Sequence, residues 1–284
     1  MTGPFYQQVA GAFDRAAGNY DDLYGGNRIM AWMRAESLAV LQAAFATDAP
    51  GGRLLEVGCG TGEEALALSR AGHRIVATDI SPAMIELARA KAEASGVGDV
   101  TWLVLPAGRL PELVGDYGPG SFDGAYASFG GLNCEPDLRP VAAALADLLR
   151  PGASLVCSIM NRLCAWEIFW GLLHLQPGQA FRRLSGDWVA AGLVAPEGRL
   201  SVPTRYYRPG TFARAFAPHF RLRRVRALPV FLPPPYLDAL VERHPALLDR
   251  LEPVERGLRD RFPFHSLGDH FLAVLQRAEA PEMP

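Results

Sequence analysis

The sequence predicts an α/β protein built on a doubly wound, seven-stranded sheet. Short apolar runs alternate with longer segments whose apolar residues recur at helical spacing. A glycine-rich turn follows the first apolar run, and a later run, residues 153–160, is apolar enough to be buried on both faces. This alternation is typical of a parallel sheet with helices on both faces, in which ligands bind at the carboxyl ends of the strands.

The predicted elements alternate regularly from the first helix to Met160. That helix is amphipathic, covers Asn27–Phe45 and ends before the Pro50-Gly51-Gly52 break. The predicted strands cover residues 54–57, 74–78, 100–105, 122–127, 153–160, 220–227 and 270–275. The predicted helices between the early strands cover residues 63–71, 82–95 and 138–149.

After Met160 the pattern changes. Residues 164–175 are predicted to form an aromatic-rich helix, and residues 200–208 an extended segment. Residues 229–268, between the last two strands, are first proline-rich and then helical. Two insertions on one face of the sheet would make a cap over the ligand crevice.

Composition and charge exclude several classes of protein. Across 284 residues, 49% are hydrophobic and 20% charged, so the chain can bury a sizeable core. The formal net charge of -2 argues against a nucleic-acid partner, and no stretch approaches the roughly 20 apolar residues of a membrane span. The first residues lack a signal-peptide pattern, and the four cysteines lack zinc-type spacing, so a cytoplasmic location is expected.

The most specific feature is the glycine-rich turn EVGCGTGEE, residues 56–64. Its glycines allow a tight turn and let a ligand lie against bare backbone. Asp79 follows about 20 residues later, at the end of the second strand, where a ribose diol is held in nucleotide-binding sheets. A dinucleotide site requires Gly-x-Gly-x-x-Gly, whereas this turn is Gly-x-Gly-x-Gly. Glu63 and Glu64 would also repel a pyrophosphate, which favours a cofactor without phosphate and with net positive charge.

With four further segments, this turn resembles the class I S-adenosylmethionine-dependent methyltransferases. The matching segments are FDRAAGNYDDLY (13–24), LLEVGCGTGEEALALSR (54–70), ATDISPAMIELARAKAE (77–93), FDGAYASFGGLNCEPDL (122–138) and LRPGASLVCSIMN (149–161). The resemblance covers a little over half of the chain and is specific for fold and cofactor, but not for substrate. It implies a Rossmann-like fold and S-adenosyl-L-methionine as the cofactor.

The resemblance also implies which residues hold the methionine end of that cofactor. The three glycines of the turn would form the floor beneath it: Gly58, Gly60 and Gly62. Glu56 would lie near the amino group. Ser128 and Phe129, at the end of the fourth strand, would lie beside the sulfonium.

At the adenosine end, the resemblance implies that Asp79 accepts both ribose hydroxyls. Ile80 and Met84 would pack on the adenine. Family members usually carry an acidic residue after the third strand, and Pro106 takes that place here. The adenine would therefore be held by the backbone near Pro106 and Ala107.

Three parts of the chain are expected on this basis. Residues 1–50 would form an N-terminal helical lid, in which Tyr20 looks like the aromatic residue that closes over the cofactor in related small-molecule methyltransferases. Residues 51–160 would form the S-adenosylmethionine-binding core. Residues 161–284 would hold the substrate cap insertions and the last two strands.

The predicted reaction is an in-line displacement, in which a substrate O, N or C nucleophile takes the sulfonium methyl group. The protein would mainly align the reactants and exclude water. A general base is needed only if a proton must leave, and the candidates are His174, Tyr206, His265 and Asn133. Asn133 could equally cap a helix, and His174 could equally be a satisfied histidine at a helix end. No metal site is predicted, because no histidine or carboxylate cluster has ligand spacing.

The substrate is predicted to be a small, largely apolar or aromatic molecule, such as a secondary metabolite or quinone precursor. The Trp, Phe, Leu and Pro content of the cap indicates this class. Two alternatives stay open: a non-methylating reaction on the same cofactor (cyclisation, decarboxylation or rearrangement), or a non-enzymatic partner protein that retains the cofactor fold. The sequence leaves the oligomeric state open, with a homodimer as one option.

Overall fold

The computed structural model describes residues 3–244 and 246–279. Residues 1–2, in the predicted lid, and residues 245 and 280–284, in the predicted third part, lie outside the described residues. Within the described ranges the chain forms nine strands. They are β1 (Arg53–Val57), β2 (Arg74–Asp79), β3 (Val100–Val104), β4 (Phe122–Ala127), β5 (Leu149–Met160), β6 (Val189–Ala195), β7 (Gly198–Thr204), β8 (Phe220–Leu228) and β9 (His270–Arg277).

Eleven helices occur in the same ranges. They are α1 (Pro4–Gly25), α2 (Arg28–Asp48), α3 (Glu63–Arg70), α4 (Pro82–Ser95), α5 (Pro111–Tyr117), α6 (Leu138–Leu148), α7 (Ala165–Leu173), α8 (Pro177–Ala180), α9 (Pro209–Phe216), α10 (Asp238–Arg243) and α11 (Ala246–Leu258). Helix α4 shows why the early boundaries are readable from sequence. Ser81 caps it by accepting from the Met84 amide at 3.1 Å, Pro82 opens it, and Gly96 ends it at φ +67°.

Seven strands form one sheet in the order β3-β2-β1-β4-β5-β9-β8. This confirms the predicted seven-stranded α/β fold. One detail differs from the predicted parallel sheet, because β9 runs antiparallel to both β5 and β8. Strand β8 ends at the edge of the sheet where β9 begins, with Leu228 paired to His270. Because the chain does not cross back to the opposite edge between these two strands, β9 runs antiparallel to β8. The strand order changes direction between β1 and β4, where the carboxyl ends of the strands open a crevice for ligands.

Apolar side chains cover both faces of the sheet. On one face, α2, α3 and α4 pack against β1 and β4, with Phe45 and Tyr126 fully buried. On the other, α5, α6 and α9 pack against β5 and β9, with Phe212 and Phe271 fully buried. A buried side chain of this size contributes about 2–3 kcal/mol to the free energy of unfolding, so the sheet edge that holds the crevice is rigidly supported.

The N-terminal helices pack against the segments that follow β5. Strands β6 and β7 pair as an antiparallel hairpin, so the predicted extended segment has a partner strand that was not predicted. Residues of α1 pack on this hairpin through Val9 and Val202. Arg259, the residue after α11, is bound to α2 by an ion pair of 2.6 Å between its Nη2 and Glu36 Oε2. Among the described residues, no helix combines the length and the apolar character needed to cross a membrane.

Candidate active site

The glycine turn between β1 and α3 adopts a backbone that favours glycine at three positions. Gly58, Gly60 and Gly62 have φ values of +74°, +51° and +81°. A Cβ on Gly62 would lie 2.6 Å from Trp102 Cη2, whereas a Cβ on Gly60 would meet no atom within 4 Å. Packing against Trp102 therefore requires glycine at position 62. Gly60 faces open space, where a ligand can lie against the backbone.

Asp79 lies beside this turn at the end of β2. Its Oδ2 accepts from the Gly60 amide at 2.8 Å, and its Oδ1 accepts from the Ser81 amide at 2.9 Å. Burial raises the pKa of this carboxyl, and the two amide hydrogen bonds oppose that rise. Each oxygen keeps a lone pair for a further donor, so the group fits a pair of ribose hydroxyls.

Two glutamates are buried on the other side of the turn. Glu56 is fully buried, and its Oε2 accepts from the Tyr126 hydroxyl at 3.1 Å. Its Oε1 is buried and has no hydrogen-bond partner among the described residues. Burial and the nearby charge of Glu64 raise the pKa of Glu56 well above its usual range. An orphaned carboxylate oxygen at this place fits the ammonium group of an amino-acid moiety.

Cations compensate only part of this negative charge. Lys91 Nζ lies 2.6 Å from Glu63 Oε1 and 2.6 Å from Asp21 Oδ2, so one cation is shared by two carboxylates and compensates the charge of Glu63 only in part. The exclusion of a pyrophosphate rests mainly on the buried carboxylates Glu56, Glu64 and Asp79. Among the described residues one guanidinium approaches these three: Arg34 Nε is 3.1 Å from Glu64 Oε1. The site suits a cationic ligand better than a phosphate.

Helix α1 crosses the mouth of this site. Asp21 accepts from the Thr61 hydroxyl of the turn at 2.7 Å, and Asp14 accepts from the Ser81 hydroxyl at 2.6 Å. Tyr20 lies between these contacts, with its ring centroid 4.6 Å from that of Tyr24. Burial and Tyr24 raise the pKa of Tyr20, and the charges of Asp79 and Glu64 act in the same direction. The structure therefore brings Tyr20 to the glycine turn.

A cleft of about 360 Å³ opens between α1 and the ends of β2 and β3. Ile80 and Pro106 line it from the sheet side, and Tyr6 and Asp14 line it from α1. Ala107 begins the short 3₁₀ turn that follows Pro106. Met84 is buried beneath this region and is not part of the lining, so its predicted contact with adenine is indirect.

Ser128 and Phe129 mark the end of β4. Ser128 is almost fully buried, and Phe129 has a left-handed backbone with φ +47°, which is unusual for an aromatic residue. The Arg34 guanidinium lies 6.0 Å from the Phe129 ring centroid, and the ring of His270 lies 6.1 Å from it. Phe129 thus lies between Arg34, which pairs with Glu64, and His270 at the start of β9. Strain of this kind clusters at functional sites.

The structure does not support Asn133 as a substrate-binding group. Its Nδ2 donates to the carbonyls of Arg205 at 2.6 Å and Met160 at 3.2 Å, and its Oδ1 accepts from the Met160 amide at 2.9 Å. All of these bonds join the end of β5 to the segment after β7. Because the side chain is fully buried with its amide in use, its role is to hold these segments together.

The other three predicted catalytic residues are spread over the cap. His174 is exposed at the end of α7, where its Nδ1 lies 2.9 Å from the Trp170 carbonyl, so the helix-end alternative describes it. Tyr206 is buried under the Arg183 guanidinium, 4.8 Å above its ring, and burial raises its pKa. At neutral pH its hydroxyl is a donor rather than a base. His265 lies in the 3₁₀ turn 264–266, with a buried Nδ1 that has no partner among the described residues.

Arg34 was not singled out from sequence, and His270 was considered only as one of two histidines, with His265, that flank the last strand and could supply a base. Arg34 reaches Glu64 from α2, and His270 lies at the start of β9 with Asp269. Neither belongs to a motif, and only the pairing of distant elements brings them to the end of β4. A basic residue within an otherwise apolar helix was the one available signal for Arg34. In the part of the chain that is described, no three His, Cys, Asp or Glu side chains gather to hold a metal ion.

The sheet order, the left-handed glycine turn and the acid at the end of β2 form the arrangement that the sequence-based resemblance predicts. Residues 54–152 match a family model described as a methyltransferase domain. This part of the chain therefore has the methyltransferase domain that the resemblance to the class I S-adenosylmethionine-dependent methyltransferases predicts. The sequence-based assignments of family and cofactor are thereby confirmed.

Relatives of known sequence and structure agree with this family. The chain is 32% identical over 158 residues to a ubiquinone biosynthesis O-methyltransferase of Xanthomonas campestris pv. campestris (strain B100). That alignment covers 56% of this chain and 63% of the relative. Among solved structures, the 4+2 cyclase SpnF matches with a TM-score of 0.64 at 19% identity, over 99% of this chain and 98% of that one. The geranyl diphosphate C-methyltransferase of Streptomyces coelicolor A3(2) matches with a TM-score of 0.60 at 12% identity, over 98% and 99%. At these identities the structural matches show the fold alone.

Proposed function

We propose that the chain transfers a methyl group from S-adenosylmethionine to a small, largely apolar or aromatic molecule. One observation carries the proposal: three buried carboxylates, Glu56, Glu64 and Asp79, surround a left-handed glycine turn and have, within the described part of the chain, a single cationic partner, Arg34. A buried negative excess is unfavourable in the free protein and becomes favourable when a cationic ligand binds.

The described residues divide the work of holding this ligand. When bound, S-adenosylmethionine supplies a methyl group that is already activated on a sulfonium. Asp79 would hold the ribose, Glu56 Oε1 would accept from the ammonium group, and Gly60 would leave room for the backbone contact. Helix α1, through Tyr20, would exclude water from the site, which strengthens every charge interaction in it.

The surroundings of Phe129 favour an apolar substrate. The half-buried Phe129 packs on the fully buried Ile29 and Met33 of α2 and on Leu228 and Leu272 of β8 and β9, so its own ring is the apolar surface that a substrate would meet. The net charge of -2 offers no excess of cations for a nucleic acid. The relative from Xanthomonas is named for ubiquinone biosynthesis, which supports an aromatic, quinone-precursor type of substrate.

Several finer assignments are part of the same proposal. We propose that residues 1–50 act as the lid, 51–160 as the cofactor-binding core and 161–284 as the cap with the last two strands. The reaction would need no metal. A cytoplasmic location, supported by four free cysteines, and a homodimer are the remaining expectations, and sedimentation of the purified protein tests the second.

The proposal is tested by following an isotope-labelled methyl group. The protein is incubated with methyl-labelled S-adenosylmethionine and a bacterial small-molecule extract, and products are identified by mass spectrometry. We expect the label in small molecules and an equal amount of S-adenosylhomocysteine. Products that form without label would support the non-methylating alternative, and the absence of any product in the presence of bound cofactor would support a non-enzymatic partner.

A further inference from the structure

His270 lies at the same edge of the sheet as the glycine turn. It is the first residue of β9 and is paired with Met160 at the end of β5 and with Leu228 at the end of β8. Its ring contacts Phe129 edge to face, with centroids 6.1 Å apart. Since Phe129 follows the end of β4 and also contacts Arg34, the imidazole faces the place where substrate and methyl donor would meet.

One side of this imidazole is held by a carboxylate. His270 Nδ1 lies 2.8 Å from Asp269 Oδ2, and both residues are buried. Asp269 Oδ1 accepts from Arg183 Nη2 at 2.5 Å, and Arg183 in turn pairs with Glu167 at 2.7 Å. Burial alone would raise the pKa of Asp269, but the charges of Arg183 and His270 hold it below its usual range.

The hydrogen bond to Asp269 decides which imidazole nitrogen of His270 can accept a proton. An ionised Asp269 accepts a hydrogen bond from Nδ1–H, so the neutral ring carries its hydrogen on Nδ1 and presents Nε2 as an acceptor. Nε2 has no hydrogen-bond partner among the described residues. The charged groups around the ring are Asp269 beside it, Arg183 behind Asp269, and Arg34 on the far side of Phe129.

We propose that His270 is the general base of the reaction and that the substrate nucleophile is a hydroxyl on an aromatic ring. This inference rests on the proposed methyltransferase function and specifies its substrate class. A phenol with a pKa near 10 gives up its proton to an imidazole far more readily than an aliphatic alcohol does. The half-buried ring of Phe129 provides an apolar surface for the substrate ring, and Leu228 and Leu272 are buried behind it.

The step balances within this site. The phenol oxygen passes its proton to Nε2 while an oxygen lone pair forms the bond to the methyl carbon. The electron pair of the carbon–sulfur bond stays on sulfur, which leaves as a neutral thioether. Asp269 stabilises the imidazolium that results, and the proton is later released to water.

The tautomer is tested without turnover. Nitrogen NMR of protein labelled at histidine, with His270→Gln to assign the signals, reports which ring nitrogen carries the hydrogen. We expect the neutral ring of His270 to carry it on Nδ1. A neutral ring protonated on Nε2 would overturn the proposal, because that nitrogen could not accept a proton.

The base is tested by the pH dependence of methyl transfer to para-substituted phenols. At pH 7 we expect His270→Gln to be slowed about 100-fold or more, with S-adenosylhomocysteine affinity unchanged. The deficit should shrink as the pH approaches the pKa of each phenol. His244→Gln, at an exposed position, is the matched control and should behave as the parent.

The possible outcomes distinguish a failure of the proposed base from a failure of the proposed methyltransferase function. A His270→Gln variant with the parent's rate, or with the same deficit at every pH, overturns the base. A parent protein that binds S-adenosylhomocysteine but methylates no phenol overturns the phenol class and the base together, while the methyltransferase proposal is decided by the labelled products. A parent that binds no S-adenosylhomocysteine overturns the proposed function itself.

Discussion

The hydroxyl of Thr61, in the glycine turn, donates a hydrogen bond of 2.7 Å to the carboxylate of Asp21 on α1. The other oxygen of Asp21 lies 2.6 Å from the only lysine of the chain, Lys91 of α4. Helix α1 is therefore bound to both sides of the cofactor site. Its docking and the retention of the cofactor should be coupled.

Replacing Asp21 tests this coupling. We expect Asp21→Ala to release S-adenosylhomocysteine up to roughly 30-fold faster, because the contacts of α1 with Thr61 of the turn and with Lys91 of α4 are lost and each contributes about 1 kcal/mol. Stopped-flow displacement measures the rate. Asp22→Ala, exposed and next in sequence, is the control. Equal release from both variants would show that α1 does not retain the ligand.

The buried carboxylates predict a pH dependence of stability in the free protein. The pKa values of Glu56, Glu64 and Asp79 are all raised, chiefly by burial. The folded state then holds protons that the unfolded chain has lost, so the free energy of unfolding decreases as the pH rises above about 4 and through the raised pKa values. Urea unfolding at a series of pH values measures this. Glu56→Gln should flatten the decrease, and an unchanged slope would contradict the assignment.

The same carboxylates predict proton release when the cofactor binds. A cation favours their ionised forms, so S-adenosylmethionine should displace protons and bind more tightly as the pH rises. Calorimetry in two buffers of different ionisation enthalpy counts the protons. S-adenosylhomocysteine lacks the sulfonium charge and should release fewer. Proton uptake would mean that the carboxylates do not face the ligand.

Gly62 and Gly96 separate two costs of adding a side chain. Both have positive φ, +81° and +67°, so alanine at either position costs about 1–2 kcal/mol in backbone strain. Only Gly62→Ala also collides with Trp102, at 2.6 Å, which adds about 1–3 kcal/mol. Chemical denaturation should show the larger loss at Gly62, and Trp102→Leu should recover part of it. Equal losses of stability in the two alanine variants would show that position 62 is not in tight contact with Trp102.

Local features of the sequence predict the early strands and helices of the sheet and the glycine turn between β1 and α3. Ser81, Pro82 and Gly96 act through bonds within a few residues, so the ends of α4 are readable from the chain. The direction of β9 depends on its pairing with β5 and β8, which no local pattern carries.

The same limit applies to the site. The glycines and Asp79 lie in motifs, whereas Arg34 and His270 come to Phe129 only through the packing of α2 and β9. Asn133 lay in a matching segment, yet its amide is used by backbone groups at the end of β5. A motif identifies the neighbourhood of such a residue, but its hydrogen bonds decide its role.

Arg183 should be important for stability because it is buried between Glu167 and Asp269. Arg183→Met removes the buried cation between two buried carboxylates, which keep only Arg182 and His270 as partners, and we expect a loss of about 3–5 kcal/mol in the free energy of unfolding. Arg139→Met removes an exposed pair with Asp137 and should cost at most about 1 kcal/mol. Urea unfolding of both variants makes the comparison. Similar small losses would show that the Arg183 network is dispensable.

The most direct test of the account is calorimetric titration of the protein with S-adenosylmethionine, S-adenosylhomocysteine and NADH. Both adenosyl ligands should bind and NADH should not, and Asp79→Ala should lose roughly 100-fold or more in affinity through two hydrogen bonds to a charged group, while the exposed Asp116→Ala binds as the parent. Binding of NADH alone, or unchanged binding by Asp79→Ala, would contradict the assigned site.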